Sequence, residues 1–394
     1  HPNVRAEGWE RSLNSGLLAY AGCPVKTGAS SPRDAYRFAR GEQVISNPGQ
    51  PVKLRQPLVF YMITDHSDGM GVITDLIKGT PEILADPVAR QFHEAFAKGG
   101  KEAAEAAFEL TAMFSQGKVP DTVNYQPGNP AFKRVWNDIV QAAEEFNEPH
   151  RFTTFIAFDW TSLVKGNNLH RNVILRDGPQ RALRVLPYTT TPPIGSRDPR
   201  DLWKWMANYE KTTGGNVIAI PHNGNLSSGM MFAMQDDFDD GKPLDKAYAQ
   251  ERQKWERLYE ATQMKGDGEA HPALSRTDEF ADFETWDMGN LDLSVKKTPG
   301  MLPGEYARSG LKRGLELEAK LGVNPFKFGL VGASDNHVGL TTSEHDKFFG
   351  KFTQYEPTPH RANHLSKDNK ENGAQLYSWQ YITAGLTAVW AESN

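Results

Sequence analysis

Cysteine is almost missing from this chain, and so are long apolar runs and a strong excess of either charge. The 394 residues include one cysteine, Cys23, which excludes an intrachain disulfide and a site built from several thiolates. No apolar run approaches the roughly 20 residues that a membrane-spanning helix needs, so we expect a soluble protein. The formal net charge of −5 argues against nucleic acid and anionic membranes as partners. Any metal must therefore be held by nitrogen and oxygen ligands.

Four widespread catalytic motifs are missing as well. The chain has no Gly-x-Ser-x-Gly elbow, no Gly-x-Gly-x-x-Gly turn after a strand, no Gly-x-x-x-x-Gly-Lys-Ser/Thr loop and no His-Glu-x-x-His pair. Serine hydrolases, dinucleotide enzymes, nucleotide triphosphatases and zincins therefore lose their main support. The 38% hydrophobic and 10% aromatic residues are typical of a globular protein with a large core.

Short apolar runs alternate with longer helical patterns, and this alternation predicts an α/β fold with parallel strands. The predicted strands are 58–64, 152–158, 172–175, 216–220 and 328–333. The predicted helices are 31–40, 81–97, 101–116, 130–145, 199–211, 244–263 and 304–321. Two stretches, 177–197 and 265–297, have the composition of long loops over an active-site face.

Side chains of metal-ligand type stand where the predicted strands end. They are Asp65 with His66, Asp159, His222, and Asp335 with His337, while His170 directly precedes another strand. Because the carboxyl ends of parallel strands converge on one face, these side chains can share a site. Imidazole and carboxylate ligands suit Zn, Mn or Fe, and mixed sets are typical of two-metal hydrolytic sites. Each motif alone is more typical of an ordinary turn, but together they predict a metal centre.

Several longer motifs, taken together, resemble the uncharacterised DUF3604 proteins. They are Thr64-Asp65-His66-Ser67-Asp68-Gly69, Leu169-His170-Arg171-Asn172, Pro221-His222-Asn223-Gly224-Asn225, Lys265-Gly266-Asp267-Gly268-Glu269-Ala270-His271-Pro272 and Gly332-Ala333-Ser334-Asp335-Asn336-His337. The resemblance covers the chain from residue 31 to its end. That family in turn resembles the PHP (polymerase and histidinol phosphatase) superfamily. The PHP fold is a distorted β/α barrel that carries two or three metal ions at the carboxyl ends of its strands.

This resemblance implies a single PHP-like metallohydrolase domain over residues 1–394, with insertions near 177–197 and 265–297. The implied fold is a distorted PHP-type β/α barrel with long loops over the carboxyl-end face. It also implies two or three divalent ions, Mn, Zn or Fe. The implied ligands are Asp65, His66, Asp159, His222, Asp335 and His337, with His170 as a further candidate.

Two positions depart from the pattern of that family. The family usually opens with a His-x-His pair, whereas no histidine stands between His1 and His66 here. The bridging carboxylate, usually a Glu, is Asp159. The chain also stops where the family normally continues. A fragment that lacks the first strand motif and the C-terminal end is therefore one interpretation; another is that a different group replaces the missing pair or that one metal position is lost.

The expected activity is hydrolysis of a small-molecule phosphate ester by a metal-activated hydroxide. Arg171 and Lys265 are candidates for offsetting charge on the phosphate oxygens, and His271 for protonating the leaving group. Glu269, like Glu284, is a candidate for orienting a ligand histidine. These roles are hypotheses about residues that lie in the resembling motifs.

Two alternatives stay open at this point. The same metal site is compatible with hydrolysis of a carboxylic ester, a lactone, an amide or a sulfate ester. From a different class, the chain is also compatible with a noncatalytic metal-containing binding module. A homo-oligomer is compatible with the sequence, and the resemblance suggests an exported, periplasmic bacterial protein, with a cytoplasmic one as the alternative.

Overall fold

The computed structural model describes residues 31–238, 241–342, 348–352, 356–381, 385 and 387. Cys23 and the stretch where the His-x-His pair was expected lie outside these residues. Among the described residues, no helix combines the length and the apolar character that a membrane crossing requires.

The described helices follow the predicted pattern closely at their starts. They are α1 Pro32–Ala39, α2 Val72–Lys78, α3 Pro81–Ala85, α4 Pro87–Lys98, α5 Gly100–Ser115, α6 Pro130–Phe146, α7 Pro179–Ala182, α8 Pro199–Thr213, α9 Lys246–Trp255 and α10 Ala307–Leu321. Helices α1, α4, α6 and α8 each begin with a proline in the first turn. Each is preceded by a side chain that caps a free backbone N–H, namely Ser31, Asp86, Asn129 and Asp198. The Asp86 cap also divides the predicted helix 81–97 into α3 and α4.

The strands form one four-stranded sheet and several smaller ones. They are β1 Val44–Ile45, β2 Pro51–Val52, β3 Phe60–Ile63, β4 Thr153–Trp160, β5 Leu163–Val164, β6 Asn167–Asn168, β7 Arg171–Leu175, β8 Val217–Pro221, β9 Gln235–Asp236, β10 Lys242–Pro243, β11 Leu258–Gln263, β12 Gly266–Asp267, β13 Gly329–Gly332, β14 Leu365–Asn369 and β15 Ala374–Tyr377. The four-stranded sheet has the order β3-β4-β7-β8, and a three-stranded sheet has the order β12-β11-β13. All five predicted strands are confirmed.

The prediction that the strands are all parallel is wrong for β7. Strands β3 and β4 pair in parallel, but β7 pairs antiparallel with both β4 and β8. The physical reason is the connection from β4 to β7, which holds only the short hairpin of β5 and β6. It has no crossover helix to return the chain to the other end of the sheet. The start of β7 therefore lies at the edge where β3, β4 and β8 end.

The prediction of one helix over 244–263 is also wrong. Helix α9 ends at Trp255, and the chain continues into β11, which pairs in parallel with β13. The long-range pairing with β13 and the burial of Tyr259, Glu260 and Ala261 outweigh the local helical pattern. Strand β11 also neighbours β8, so the two sheets lie side by side.

The fold class is mixed α/β, as predicted. Within the described part of the chain the sheets do not close into a barrel, so the PHP-type barrel stays a prediction. The two predicted loop stretches are largely irregular there: 177–197 contains helix α7, and 265–297 contains the short β12.

The main hydrophobic core lies between the four-stranded sheet and the helices α1, α6 and α8. Tyr36 from α1, Trp136 from α6 and Trp203 from α8 are buried in it together with Phe158 from β4. The rings of Trp136 and Phe158 meet edge to face, with centroids 6.0 Å apart. Successive side chains of a strand point to opposite faces. Because Phe158 faces the helices, the next residue, Asp159, faces the other side.

A buried ion-pair network fixes the start of β7. Arg171 donates from Nε to Oε1 of Glu256 at 3.0 Å, and Trp203 donates to the same oxygen at 3.0 Å. Arg252 pairs with the second oxygen at 3.1 Å. Burial alone would raise the pKa of Glu256, but the two guanidinium groups reverse this effect and lower it. The charge of Glu256 therefore compensates two buried cations.

We expect Glu256→Gln to lower the free energy of unfolding by about 3–5 kcal/mol, because it leaves two buried guanidinium groups without a counter-charge. The measurement is chemical denaturation, with Glu109→Gln as the exposed control. A loss in Glu256→Gln no larger than in the control would contradict a structural role for the network.

Candidate metal centre

Asp159 lies at the end of β4 and is the common neighbour of three imidazole rings. Its Oδ2 lies 3.0 Å from Nδ1 of His170, 3.9 Å from Nε2 of His66 and 3.8 Å from Nε2 of His222. The ring centroids of His66 and His222 lie 5.2 Å and 5.4 Å from that of His170. We call these four residues the Asp159 cluster.

The strand directions explain why these residues meet. His66 follows the parallel strand β3, and its backbone forms an isolated β-bridge with that of Asp159. His222 follows β8. His170 precedes β7, which reaches the same edge of the sheet because it runs the other way. The amide of His222 donates to the carbonyl oxygen of His170 at 3.3 Å, which holds these two chain segments together.

The Asp159 cluster contains ligand atoms that are buried and lack a hydrogen-bond partner in the described part of the chain. They are Oδ1 of Asp159, Nδ1 of His66, Nε2 of His170 and Nε2 of His222. A buried polar atom left unsatisfied costs about 1–3 kcal/mol, so four of them on four neighbouring residues need an explanation. One ligand atom each from His66, Asp159 and His170 lie within 4.8 Å of one another. The set therefore fits a metal ion with nitrogen and oxygen ligands.

Asn172 fixes the ring of His222 from behind. Nδ2 of Asn172 lies 2.7 Å from Nδ1 of His222, while Oδ1 of Asn172 has no hydrogen-bond partner among the described residues. This contact sets the orientation of the His222 ring, as outer residues do for ligand histidines in metal sites.

The environment keeps His66 and His222 neutral. Burial, followed by the neighbouring ring of His170, lowers the pKa of both His66 and His222 well below the usual value. Only a neutral imidazole has a lone pair for a metal, so a depressed pKa prepares these rings as ligands.

A second group, which we call the Asp335 cluster, surrounds the carboxylate of Asp335 and lies next to His66. Oδ1 of Asp335 lies 3.2 Å from Nε2 of His337 and 2.9 Å from Nζ of Lys351. Its Oδ2 accepts from Gln263 at 2.6 Å and also contacts Nζ of Lys265. The ring centroid of His337 lies 6.3 Å from that of His66. The structure thus brings together the predicted residues from the ends of β3, β4, β8 and β13 and the start of β7.

Asp65 lies apart from this group although it is next to His66. Its oxygens are buried without a hydrogen-bond partner among the described residues. Burial, with a smaller effect from Asp138 on α6, raises the pKa of Asp65 to about 8. Asp65 also acts electrostatically on Tyr36 of α1. These neighbours place it on the helix side of the sheet, opposite the face of Asp159.

The three residues predicted for catalysis contact other side chains. Arg171 donates to Glu256, Nε2 of His271 lies 3.1 Å from Oδ2 of Asp287, and Glu269 pairs with Arg308 at 2.8 Å. Their roles in catalysis stay predictions.

Sequence reasoning missed Glu260, Gln263 and Lys351. The first two lie on β11, which was predicted as helix, and the signal that could have found them is the β-rich run Leu258-Tyr259-Glu260-Ala261-Thr262. Burial raises the pKa of Glu260 to about 8, against the opposing effect of Lys265. Neither of its carboxylate oxygens completes a hydrogen bond within the described residues.

We expect Asp159→Asn to weaken metal binding by more than about 100-fold, because even outer partners of metal ligands are worth 10–100-fold. Asp65→Asn, the matched control on the other face of the sheet, should retain affinity within tenfold. The measurement is elemental analysis together with competition against a chelating dye. Loss of metal in Asp65→Asn would instead make Asp65 a ligand.

In metal-free protein, the effect of Glu260→Gln on stability should depend on pH. Between the usual pKa of 4.5 and about 8, the unfolded carboxyl loses its proton while the folded one keeps it. Wild-type stability therefore falls with rising pH by up to about 1.4 kcal/mol per unit, and the variant lacks this loss. We expect its advantage over the wild type to grow by about 1–3 kcal/mol from pH 6 to pH 8 in denaturant unfolding. A difference between variant and wild type that does not change with pH would refute the raised pKa of Glu260.

The comparisons with known proteins agree with the resemblance of the motifs. No curated protein and no solved structure matches the chain. Residues 23–394 match the family described as a protein of unknown function, DUF3604. The match spans nearly the whole chain and includes both clusters, and the protein therefore belongs to the DUF3604 family.

Proposed function

We propose that this protein is a metal-dependent hydrolase of the PHP type that cleaves a phosphate ester. The metal ligands are His66, Asp159, His170 and His222. The observation that carries the proposal is the set of buried ligand atoms around Asp159 that lack partners in the described part of the chain. The position of this set at the carboxyl edge of β3, β4 and β8 is the second support.

The residues of the Asp159 cluster suit a hydrolytic metal. A divalent ion at these ligands supplies Lewis acidity and activates water as a nucleophile near neutral pH. The hydrogen bond from His170 to Asp159 and the contact of Asn172 with His222 hold the side chains in place before any ion arrives. Such preorganisation is worth more in a buried site than in water.

The Asp335 cluster supports an anionic ester as the substrate. Nζ of Lys265 and Nζ of Lys351 are buried beside His337, and N–H donors of this kind suit the oxygens of a phosphate group. His337 binds Asp335 through Nε2, and its Nδ1 has no hydrogen-bond partner among the described residues. Nδ1 is thus available to accept a proton from water or to return it to the leaving group.

The test is a panel of p-nitrophenyl substrates with protein loaded in turn with Mn²⁺, Zn²⁺ and Fe²⁺. We expect turnover of the phosphate monoester or diester, loss of that turnover on chelation, and recovery on adding metal back. Asp159→Asn should lower kcat/KM by at least about 100-fold, while the surface variant Glu109→Gln leaves it unchanged.

Other outcomes of this panel would contradict the proposal in distinct ways. Chelator-sensitive cleavage of the acetate or sulfate ester alone would keep the metal site and replace the substrate class. Activity that does not respond to chelation would remove the metal mechanism. Bound metal without turnover of any ester would leave a binding module.

A further inference from the structure

The carboxylate of Asp335 is saturated with hydrogen-bond donors. Lys351 and His337 contact its Oδ1, and Gln263 and Lys265 contact its Oδ2. An ionised carboxylate offers about four lone-pair sites. Each of the four is therefore taken by a side chain of the protein itself.

Asp159 differs from Asp335 in this respect. The hydrogen bond that it accepts from a side chain comes from His170 and reaches Oδ2, while Oδ1 has no partner within the described residues. Two carboxylates that the sequence marked as equivalent ligands thus stand in opposite states. Asp159 is open to a metal, and Asp335 is occupied.

The donors around Asp335 are held in place from several directions. Gln263 also donates to Asn223 at 2.9 Å, and its own oxygen accepts the backbone N–H of Lys265 at 2.7 Å. Nζ of Lys351 also contacts the backbone oxygen of Asp335. The backbone N–H of Lys351 donates to the side chain of Glu356. Moving either lysine away would leave a buried charged group without its partner, which is strongly unfavourable.

We propose that the protein binds one divalent ion, at the Asp159 cluster, and that Lys265 and Lys351 occupy the place beside Asp335 where a second ion would bind. This inference rests on the proposed function. It departs from the two or three ions that the resemblance to the PHP superfamily implies. In place of a second ion, the lysine pair supplies N–H donors at that end of the site, which is the clamping role of the second metal in two-metal hydrolases.

The first test needs no variant. Metal-free wild-type protein is equilibrated with Mn²⁺, freed of excess ion and analysed for metal and protein together. We expect one ion per chain and the electron paramagnetic resonance spectrum of isolated Mn²⁺. Two or more ions per chain, or the spectrum of an exchange-coupled pair, would overturn this inference and leave the proposed function standing. No bound ion would overturn both.

The second test asks whether the lysines are what excludes another ion. In the double variant Lys265→Met and Lys351→Met the carboxylate of Asp335 is freed, so we expect the ratio to rise to two ions per chain. Lys367→Met is the matched control, because Lys367 is a half-buried amine that donates to the carbonyl of Leu291. It should keep one ion.

Circular dichroism and an unfolding curve check that the double variant is folded. A folded double variant that still binds one ion would overturn the role given to the lysine pair. If the double variant does not fold, the metal ratio and the spectrum of the wild type decide the question alone.

Discussion

The hydrogen bond between His170 and Asp159 depends on the direction of a single strand. β7 runs antiparallel to β4, so the residue before β7 reaches the residue at the end of β4. A crossover helix between these strands would have carried His170 to the far edge of the sheet. The short hairpin of β5 and β6 instead returns the chain at once, and the third imidazole joins the two that follow β3 and β8.

The sequence was sufficient to predict the elements that place most of this centre. Short apolar runs that end in Asp or His mark strands with ligands at one edge, because side-chain chemistry and strand ends are both local features. The same local information located β3, β4, β8 and β13. It did not contain the direction of β7, which depends on how a neighbouring strand is reached.

The parts that could not be predicted depend on contacts between distant segments. β11 follows α9 almost directly, and its pairing with β13 decides its structure over a local pattern that favours helix. Glu260 and Gln263 were therefore missed as site residues, because both lie on β11. Lys351 lies in no recognisable sequence motif. It belongs to the site because the fold brings its Nζ to the carboxylate of Asp335, which follows β13. The occupied state of Asp335 is likewise visible only once its neighbours are in place.

The Asp159 cluster and the Asp335 cluster form the two ends of the site, and the two ends differ in chemistry. Around Asp159 the protein leaves imidazole nitrogens and a carboxylate oxygen without partners in the described structure, whereas around Asp335 it supplies the partners itself. One end is thus prepared for a cation and the other for hydrogen bonding to an anion. The buried network of Arg171 and Glu256 supports the start of β7, on which the first end depends.

The central claim is that histidines brought together by this sheet edge bind a metal. X-ray absorption at the metal edge of the loaded wild-type protein tests it most directly, because imidazole rings give a distinctive multiple-scattering signal. The account predicts a first shell of three imidazole nitrogens completed by oxygen. A loaded protein whose metal shows oxygen ligands alone would contradict it.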